Sequence, residues 1–258
     1  MENIYAIIYG VVEGITEFLP ISSTGHLMLV TQLLGNDSSF IKSFEIIIQL
    51  GAILAIIALY PKRLLADKQT ILRVSAAFIP TALLGLLFYK IIKTYLLASV
   101  PLVLVTLFLG GVIIIWFEKF WLNKKEVKRE KTVNDLPIAH AAYLGLIQCI
   151  AFIPGVSRSA ATIFGGMFFG LSRKEAVEFS FFLAVPTMAA ATGLDLIKNY
   201  QTFSVDDVSF LVIGFVTSFV VALLAVKWLT RFVASNDFTY FGIYRMGIAI
   251  LGYFLFFY

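Results

Sequence analysis

Two segments of this 258-residue chain are near copies, and each interrupts a hydrophobic run with a proline and a cluster of hydroxyls. In the first, Gly10-x-x-Glu13 leads into Phe18-Leu19-Pro20-Ile21-Ser22-Ser23-Thr24. In the second, Gly145-x-x-Gln148 leads into Phe152-Ile153-Pro154-Gly155-Val156-Ser157-Arg158-Ser159. A glutamate follows in the next apolar segment of each copy, Glu45 and Glu178. The offset runs from 135 (Gly10 to Gly145) to 133 (Glu45 to Glu178), so the chain reads as a duplicated unit. Hydrophobic helices broken at corresponding places in two halves point to a polar site at mid-membrane depth.

Composition sets the solvent. With 60% hydrophobic and only 14% charged residues, and a mean hydropathy of +0.91, no water-soluble fold can hide the apolar surface. The 25 Phe and 11 Tyr suit a lipid-facing protein with interfacial aromatics. The net charge of +4 carries no nucleic-acid message, because the basic residues sit in short loops rather than along one stripe. A single cysteine, Cys149, lies in an apolar run, which excludes an internal disulfide and argues against a thiolate metal cluster. Met1-Glu2-Asn3 lacks the basic region of a signal peptide and no small-residue cleavage site follows, so the mature chain is expected to start at Met1.

A membrane-spanning helix needs about 20 apolar residues. Six segments qualify: Phe44–Tyr60, Ile71–Ile92, Leu96–Phe117, Val177–Ile197, Val208–Val226 and Tyr240–Tyr258. Four are too short to cross alone: Ile4–Leu19, Gly25–Leu34, Ile138–Ile153 and Ala160–Leu171. They fall in pairs, each joined by a Pro/Ser break, which is the pattern of a re-entrant hairpin. The expected fold is a single all-α membrane domain over residues 1–258, with six transmembrane helices and two re-entrant helical hairpins. Repeat one covers 1–117 with its hairpin at 4–35, the linker 118–137, and repeat two 138–258 with its hairpin at 138–171.

Three spans per unit is odd, so the second copy must be inserted upside down. If the loops Pro61–Thr70, Glu118–Pro137, Ser172–Ala176 and Lys227–Thr239 are cytoplasmic, that side, with Arg73 at its span end, holds 14 of the 20 Lys and Arg residues. The outer side holds four: Lys42, Lys90, Lys93 and Lys198. The positive-inside bias therefore puts both termini outside. Arg158 and Arg245 remain within the bilayer. The dense Lys and Glu of the linker are expected to be solvated, and Ser172-x-x-Glu175 reads as a capping box opening the fourth span.

Glu13 and Glu17, four residues apart, share a helical face. A carboxylate at membrane depth costs at least ~2.5 kcal/mol, so a like-charged pair calls for a cation, a proton or a mutual hydrogen bond. The economical reading is a divalent metal, Mg²⁺ or Ca²⁺, bridging them to an anionic substrate. Ser22-Ser23-Thr24-Gly25-His26 and Ser157-Arg158-Ser159-Ala160-Ala161-Thr162 open the second half-helix of each hairpin. Helix N-termini bind anions, and Arg158 adds a fork matched to phosphate. Ser22, Thr24, Ser157, Arg158, Ser159 and Thr162 are thus the candidate phosphate ligands. His26, three residues beyond Ser23, is placed to act as general acid or base. His140 sits near the interface and reads as structural. Glu45, Gln49 and Glu178 are expected to orient Arg158 or the metal from behind, or to pair with Arg245. Arg245 reads as a structural partner rather than a substrate ligand.

Glu-x-x-x-Glu-Phe-Leu-Pro-x-Ser-Ser-Thr-Gly-His at 13–26 and Pro-Gly-x-Ser-Arg-Ser-x-x-Thr at 154–162 together resemble the signature of the undecaprenyl-diphosphate phosphatases, the bacitracin-resistance proteins. The segment Phe44-Glu45-x-x-x-Gln49-Leu50-Gly51 agrees too, so the likeness covers the whole chain. The resemblance implies an integral enzyme of the bacterial inner membrane that removes the terminal phosphate of undecaprenyl diphosphate and recycles the lipid carrier of cell-wall synthesis. It implies a divalent cation, an acidic motif at Glu13 and Glu17, a catalytic hydroxyl and imidazole at Ser23 and His26, and a phosphate clamp at Arg158. The polyprenyl diphosphate head is expected to enter from the outer, periplasmic side with its tail among the apolar spans. Whether Ser23, activated by His26, or a metal-bound water attacks stays open at this point. The acid-phosphatase-like lipid phosphatases are excluded, because their histidine and aspartate positions hold Phe164 and Phe168 here. A transporter of lipid phosphate or anion is the rival reading, since inverted repeats with broken helices are also a transporter architecture.

Overall fold

The computed structural model describes residues 3–36, 38–65, 67–91, 99–122, 131–199 and 207–258. In its first half the helices are α1 (Asn3–Thr16), α2 (Ser23–Leu34), α3 (Ser39–Leu59), the short α4 (Pro61–Leu65), α5 (Lys68–Ile91) and α6 (Val100–Trp116). In the second they are α7 (Ile138–Gln148), α8 (Arg158–Phe168), α9 (Arg173–Asn199), α10 (Val208–Phe232) and α11 (Thr239–Phe257). A π-helical turn, Phe117–Leu122, continues α6. Six helices, α3, α5, α6, α9, α10 and α11, are long and apolar enough to cross a membrane. The end of the second expected span at Ile92, the start of the third at Leu96, linker residues 123–130, and Lys93, Lys124, Lys125, Lys128 and Arg129 lie outside the described residues.

Local chemistry sets the helix boundaries. Ser38 and Ser99 cap α3 and α6 by accepting the amides of Ile41 and Leu102. The Asp67 carboxylate accepts the amides of Gln69 and Thr70 at the start of α5. Gly35 closes α2 in the left-handed conformation, φ 63°. The Ser172 hydroxyl accepts the Glu175 amide as expected of a capping box, but the Glu175 carboxylate turns away to the Val133 amide and Arg63.

Packing crosses between the halves. The short α1 lies against α10 and α3, while α7 lies against α5. Helices α3 and α9 pack together, as do α6 and α11. Lipid gives no hydrophobic push between helices, so close approach through small residues supplies the attraction. Gly10 and Gly14 of α1 sit so close to α10 that a Cβ would strike the Gly214 and Ser218 carbonyls. The interior is rich in aromatic rings: Phe18, Phe44, Phe179, Phe181, Phe182 and Phe238 are fully buried. Leu83, Leu86, Leu87 and Ile113 face outward.

The ends of the linker are structured. Glu118, expected to be solvated, is buried, and its carboxylate accepts Arg173 at 2.7 Å and the Phe238 amide at 3.1 Å. Arg73 donates to the Leu136 and Asn134 carbonyls, each at 2.6 Å, and so pins residues 134–136 to α5. These charges hold α6, α9 and α11 together where the helices emerge. A solvated charge on a loop and a charge that ties down helix ends look alike in sequence.

Arg245 of α11 is fully buried and meets five backbone carbonyls. Nε donates to Leu107 (3.3 Å), Nη1 to Pro20 (3.2 Å) and Val156 (3.0 Å), and Nη2 to Thr106 (3.1 Å) and Gly155 (2.7 Å). It is a structural partner, as its position suggests, but of carbonyls rather than of Glu45, Gln49 or Glu178. Both chain breaks leave carbonyls without a helical donor, and one guanidinium gathers them. Gly110 makes room for it, since a Cβ there would overlap the guanidinium.

Arg245→Lys keeps the charge but offers one compact donor group in place of a fork. Each buried carbonyl left bare costs about 1–3 kcal/mol, so the variant should melt well below the wild type in detergent. Gly110→Val should do the same by displacing the guanidinium. Thermal scans at one fixed rate check both, and an unchanged transition in Arg245→Lys would show that the fork does not hold the breaks.

Candidate active site

The two short pairs, α1–α2 and α7–α8, meet at their breaks, and the same backbone device opens α2 and α8. Ser22 (φ 73°, ψ 93°) and Ser157 (φ 77°, ψ 114°) are the only non-glycine residues with positive φ among the described residues. Such conformations cost about 1–3 kcal/mol and persist only where the surroundings enforce them. Each serine then caps its helix: Ser22 Oγ accepts the Gly25 amide at 3.3 Å and Ser157 Oγ the Ala160 amide at 3.2 Å. Both helix N-termini therefore open onto the same space. That space is a cavity of about 230 Å³, lined by Glu17, Ser22, Ser23, Thr24, Gln49, Ser157 and Arg158, with Thr81, Gln148 and Thr187 on its walls.

Glu17 is the hub. Its Oε1 accepts Arg158 Nη2 at 2.8 Å, and its Oε2 accepts the Ser23 hydroxyl in a short hydrogen bond. Arg158 Nη1 donates to the Ser180 carbonyl at 2.8 Å, which braces the guanidinium against α9. Arg158 Nε is buried and has no acceptor among the described residues, a free donor of the kind that suits a phosphate oxygen.

Glu13 lies one turn before Glu17 and is fully buried, with neither carboxylate oxygen meeting a donor. Glu17 and Glu45 act on it as like charges and Arg158 as an opposing one. An orphaned carboxylate of this kind fits a divalent cation. No group of three or more His, Cys, Asp or Glu side chains among the described residues is arranged to hold a metal. Mg²⁺ commonly takes only one or two carboxylates and completes its shell from phosphates and water, so the pair still fits that class of ion.

Several sequence-predicted residues lie elsewhere. The ring nitrogens of His26 do not reach the Ser23 hydroxyl: Nδ1 is 2.8 Å from the Ser22 carbonyl oxygen and Nε2 is 2.9 Å from the Tyr244 hydroxyl. Ser159 donates to the Leu19 carbonyl (2.7 Å) and Thr162 to Ser180 Oγ (2.7 Å), so both brace the site from behind rather than line the cavity. Gln49 lines it, while Glu45 accepts Thr31 at 2.6 Å. Glu178 is paired with Arg63 and not with Arg158 or Arg245. Ser180, two residues on, takes the place expected of it. Sequence alone gave no signal for Ser180 or Tyr244.

Gln148, the counterpart of Glu13, donates to Thr81 Oγ1 at 2.9 Å. The Thr81 hydroxyl in turn reaches the Gly145 carbonyl at 2.8 Å. Where the first half carries two acids, the second carries an amide and a cation.

The bacitracin resistance protein BacA family model matches residues 6–251. The chain is similar to the undecaprenyl-diphosphatase of Aquifex aeolicus (strain VF5), 49% identical over 97% of this chain and 98% of that protein. It is also similar to that of Nitrosospira multiformis, 50% identical over 95% of this chain and 92% of that protein. A third relative, the undecaprenyl-diphosphatase of Wolinella succinogenes, is 47% identical over 97% of each chain.

Removing one partner of a buried ion pair typically costs about 3–5 kcal/mol. Glu17→Gln and Arg158→Met should each destabilise the protein on that scale, and the double variant should lose less than the sum. Strict additivity in denaturant unfolding would mean that the two groups do not hold one another.

Proposed function

The chain belongs to the bacitracin resistance protein family, and we propose that it hydrolyses undecaprenyl diphosphate to undecaprenyl phosphate and inorganic phosphate. It is a multi-pass membrane enzyme that recycles the lipid carrier of cell-wall synthesis, the activity through which such proteins confer bacitracin resistance. The observation that carries the mechanism is the chain Ser23–Glu17–Arg158 on one wall of a cavity faced by two helix N-termini.

Glu17 is the base in this reading. It accepts the Ser23 proton as Oγ attacks the terminal phosphorus, and the bond from that phosphorus to the bridging oxygen breaks. The proton passes to the departing undecaprenyl phosphate, leaving a phosphoserine. Water then attacks the phosphoserine, Glu17 takes its proton, and the proton returns to Ser23 Oγ as inorganic phosphate leaves. Arg158 Nε and the α2 and α8 amides stabilise charge on the transferring phosphoryl group in both steps. Glu13 and Glu17 would hold a divalent cation, Mg²⁺ or Ca²⁺, which when bound neutralises further phosphate charge.

The short pairs are re-entrant hairpins, residues 4–35 and 138–171, of an inverted repeat whose units span 1–117 and 138–258. The reciprocal packing of α1 on α10 and of α7 on α5 supports this reading, as do the matched turns at Ser22 and Ser157. By the positive-inside bias the termini lie outside, and the cavity opens to the periplasmic face of the bacterial inner membrane. The isoprenoid tail runs out among the apolar spans, past Phe152 and Met188 at the cavity wall.

Purified protein in detergent should release phosphate from a prenyl diphosphate, where transport has no meaning. Ser23→Ala and Glu17→Gln should each lose at least about 10³-fold in kcat. Denaturing quench during turnover should leave phosphate on Ser23. Glu13→Gln should match wild type in excess chelator, and full activity under chelation would remove the cation from the mechanism.

Topology is checked in a Cys149→Ser background. Single cysteines at Lys62 and Lys174 should label only after permeabilisation, and those at Lys42 and Lys198 from outside. Lys42 and Lys174 labelling from one side would break the inverted arrangement.

A further inference from the structure

Both ring nitrogens of His26 are engaged, and neither by the reacting hydroxyl. The Ser22 carbonyl can only accept, so the hydrogen sits on Nδ1. In the neutral ring Nε2 is then the acceptor, and the Tyr244 hydroxyl 2.9 Å away must donate to it. The two rings lie parallel, 1° apart in plane with centroids 5.6 Å apart, which fixes the imidazole in the α2–α11 contact. The tautomer is thereby set from outside the active cavity, by a phenol on the last helix.

The Ser22 carbonyl is the one atom group that ties this pair to the chemistry. It belongs to the peptide plane joining Ser22, with its positive φ, to Ser23, whose hydroxyl meets Glu17. Pinning that carbonyl sets the direction in which the Ser23 side chain leaves the backbone. It already accepts the His26 amide at 3.2 Å, as the Ser157 carbonyl accepts the Ala161 amide at 3.1 Å in the second half. The imidazole adds a second bond in the first half only. In the second turn Arg158 stands at the position of Ser23, and an alanine stands where His26 would be. The turn forms without a histidine; what the histidine adds is aim.

We propose that Tyr244 and His26 are positioning residues: Tyr244 holds His26 as the Nδ1–H tautomer, and its bond to the Ser22 carbonyl aims Ser23 Oγ at Glu17. His26 moves no proton in the reaction. This rests on the reading of Ser23 as nucleophile with Glu17 as its base.

Amide side chains separate the two roles. Asn at position 26 places its nitrogen where Nδ1 lies, whereas Gln places its nitrogen near Nε2, and neither titrates. His26→Asn should stay within about tenfold of wild-type kcat, while His26→Gln should fall about 100-fold with KM nearly unchanged. Tyr244→Phe should lower kcat about tenfold, again with KM intact. The chain has two histidines, so ¹⁵N spectra of histidine-labelled protein are readily assigned with a His140→Gln variant. His26 should show a protonated Nδ1 and a bare Nε2, and Tyr244→Phe should shift it towards the opposite tautomer. Equal loss in the Asn and Gln variants would overturn the proposal and make His26 a proton carrier. So would an Nε2–H ring in the wild type, or a Tyr244→Phe protein unchanged in both spectrum and turnover. An active Ser23→Ala enzyme would instead sink the nucleophile reading, and the tautomer would still be read from the spectra.

Discussion

One buried guanidinium makes the rest of this structure possible. A helix that stops inside a hydrophobic slab leaves carbonyls with no water to satisfy them, and each costs several kcal/mol if left bare. Here the breaks after α1 and α7 meet, and Arg245 collects Pro20 from one with Gly155 and Val156 from the other. Its remaining bonds reach Thr106 and Leu107 of α6, so the breaks are fastened to a continuous span. Among the described residues the cation meets no carboxylate. Five carbonyl dipoles spread around the fork serve instead, which leaves Glu17 to Arg158 and Ser23.

On that frame two matching turns are decorated unequally. The two turns share a positive φ, a capping serine and a helix N-terminus. The first then supplies Glu13, Glu17 and Ser23, and the second supplies Gln148, Phe152 and Arg158. An acid-rich half facing a cation-bearing half suits the proposed phosphoryl transfer, with base and nucleophile on one side and charge neutralisation on the other. Glu17 bridges them, since its two oxygens answer to Ser23 and Arg158 separately. Had both halves kept the acids, the like charges would have repelled across a cavity of low dielectric.

Much of this was legible in the chain. The six spans, the two breaks, and the gathering of Glu17, Ser23 and Arg158 follow from hydrophobic runs and the repeat. What sequence spacing could not supply was rotation. Glu178 and Ser180 are two positions apart on α9, which turns them about 200° around the helix axis. Counting along the repeat therefore points to the acid, while the face that meets Arg158 carries the serine. Tyr244 and the carbonyls around Arg245 were hidden for another reason: their partners are more than a hundred residues away or are backbone atoms, which every residue has. His26 was placed near Ser23 by sequence proximity, but its two ring nitrogens are taken by the Ser22 carbonyl and the Tyr244 hydroxyl.

Arg245 stands on α11, the last helix, while Pro20 lies 225 positions earlier. During synthesis the first break is therefore complete long before its donor exists. Until α11 arrives, the emerging chain must keep those carbonyls in contact with water, in the insertion machinery or at the membrane surface. The cavity is thus a product of late assembly: the residues that line it are made before Arg245, and their geometry is granted by the end of the chain. A ribosome that stops short of residue 245 leaves a protein with both of its motifs and no floor beneath them.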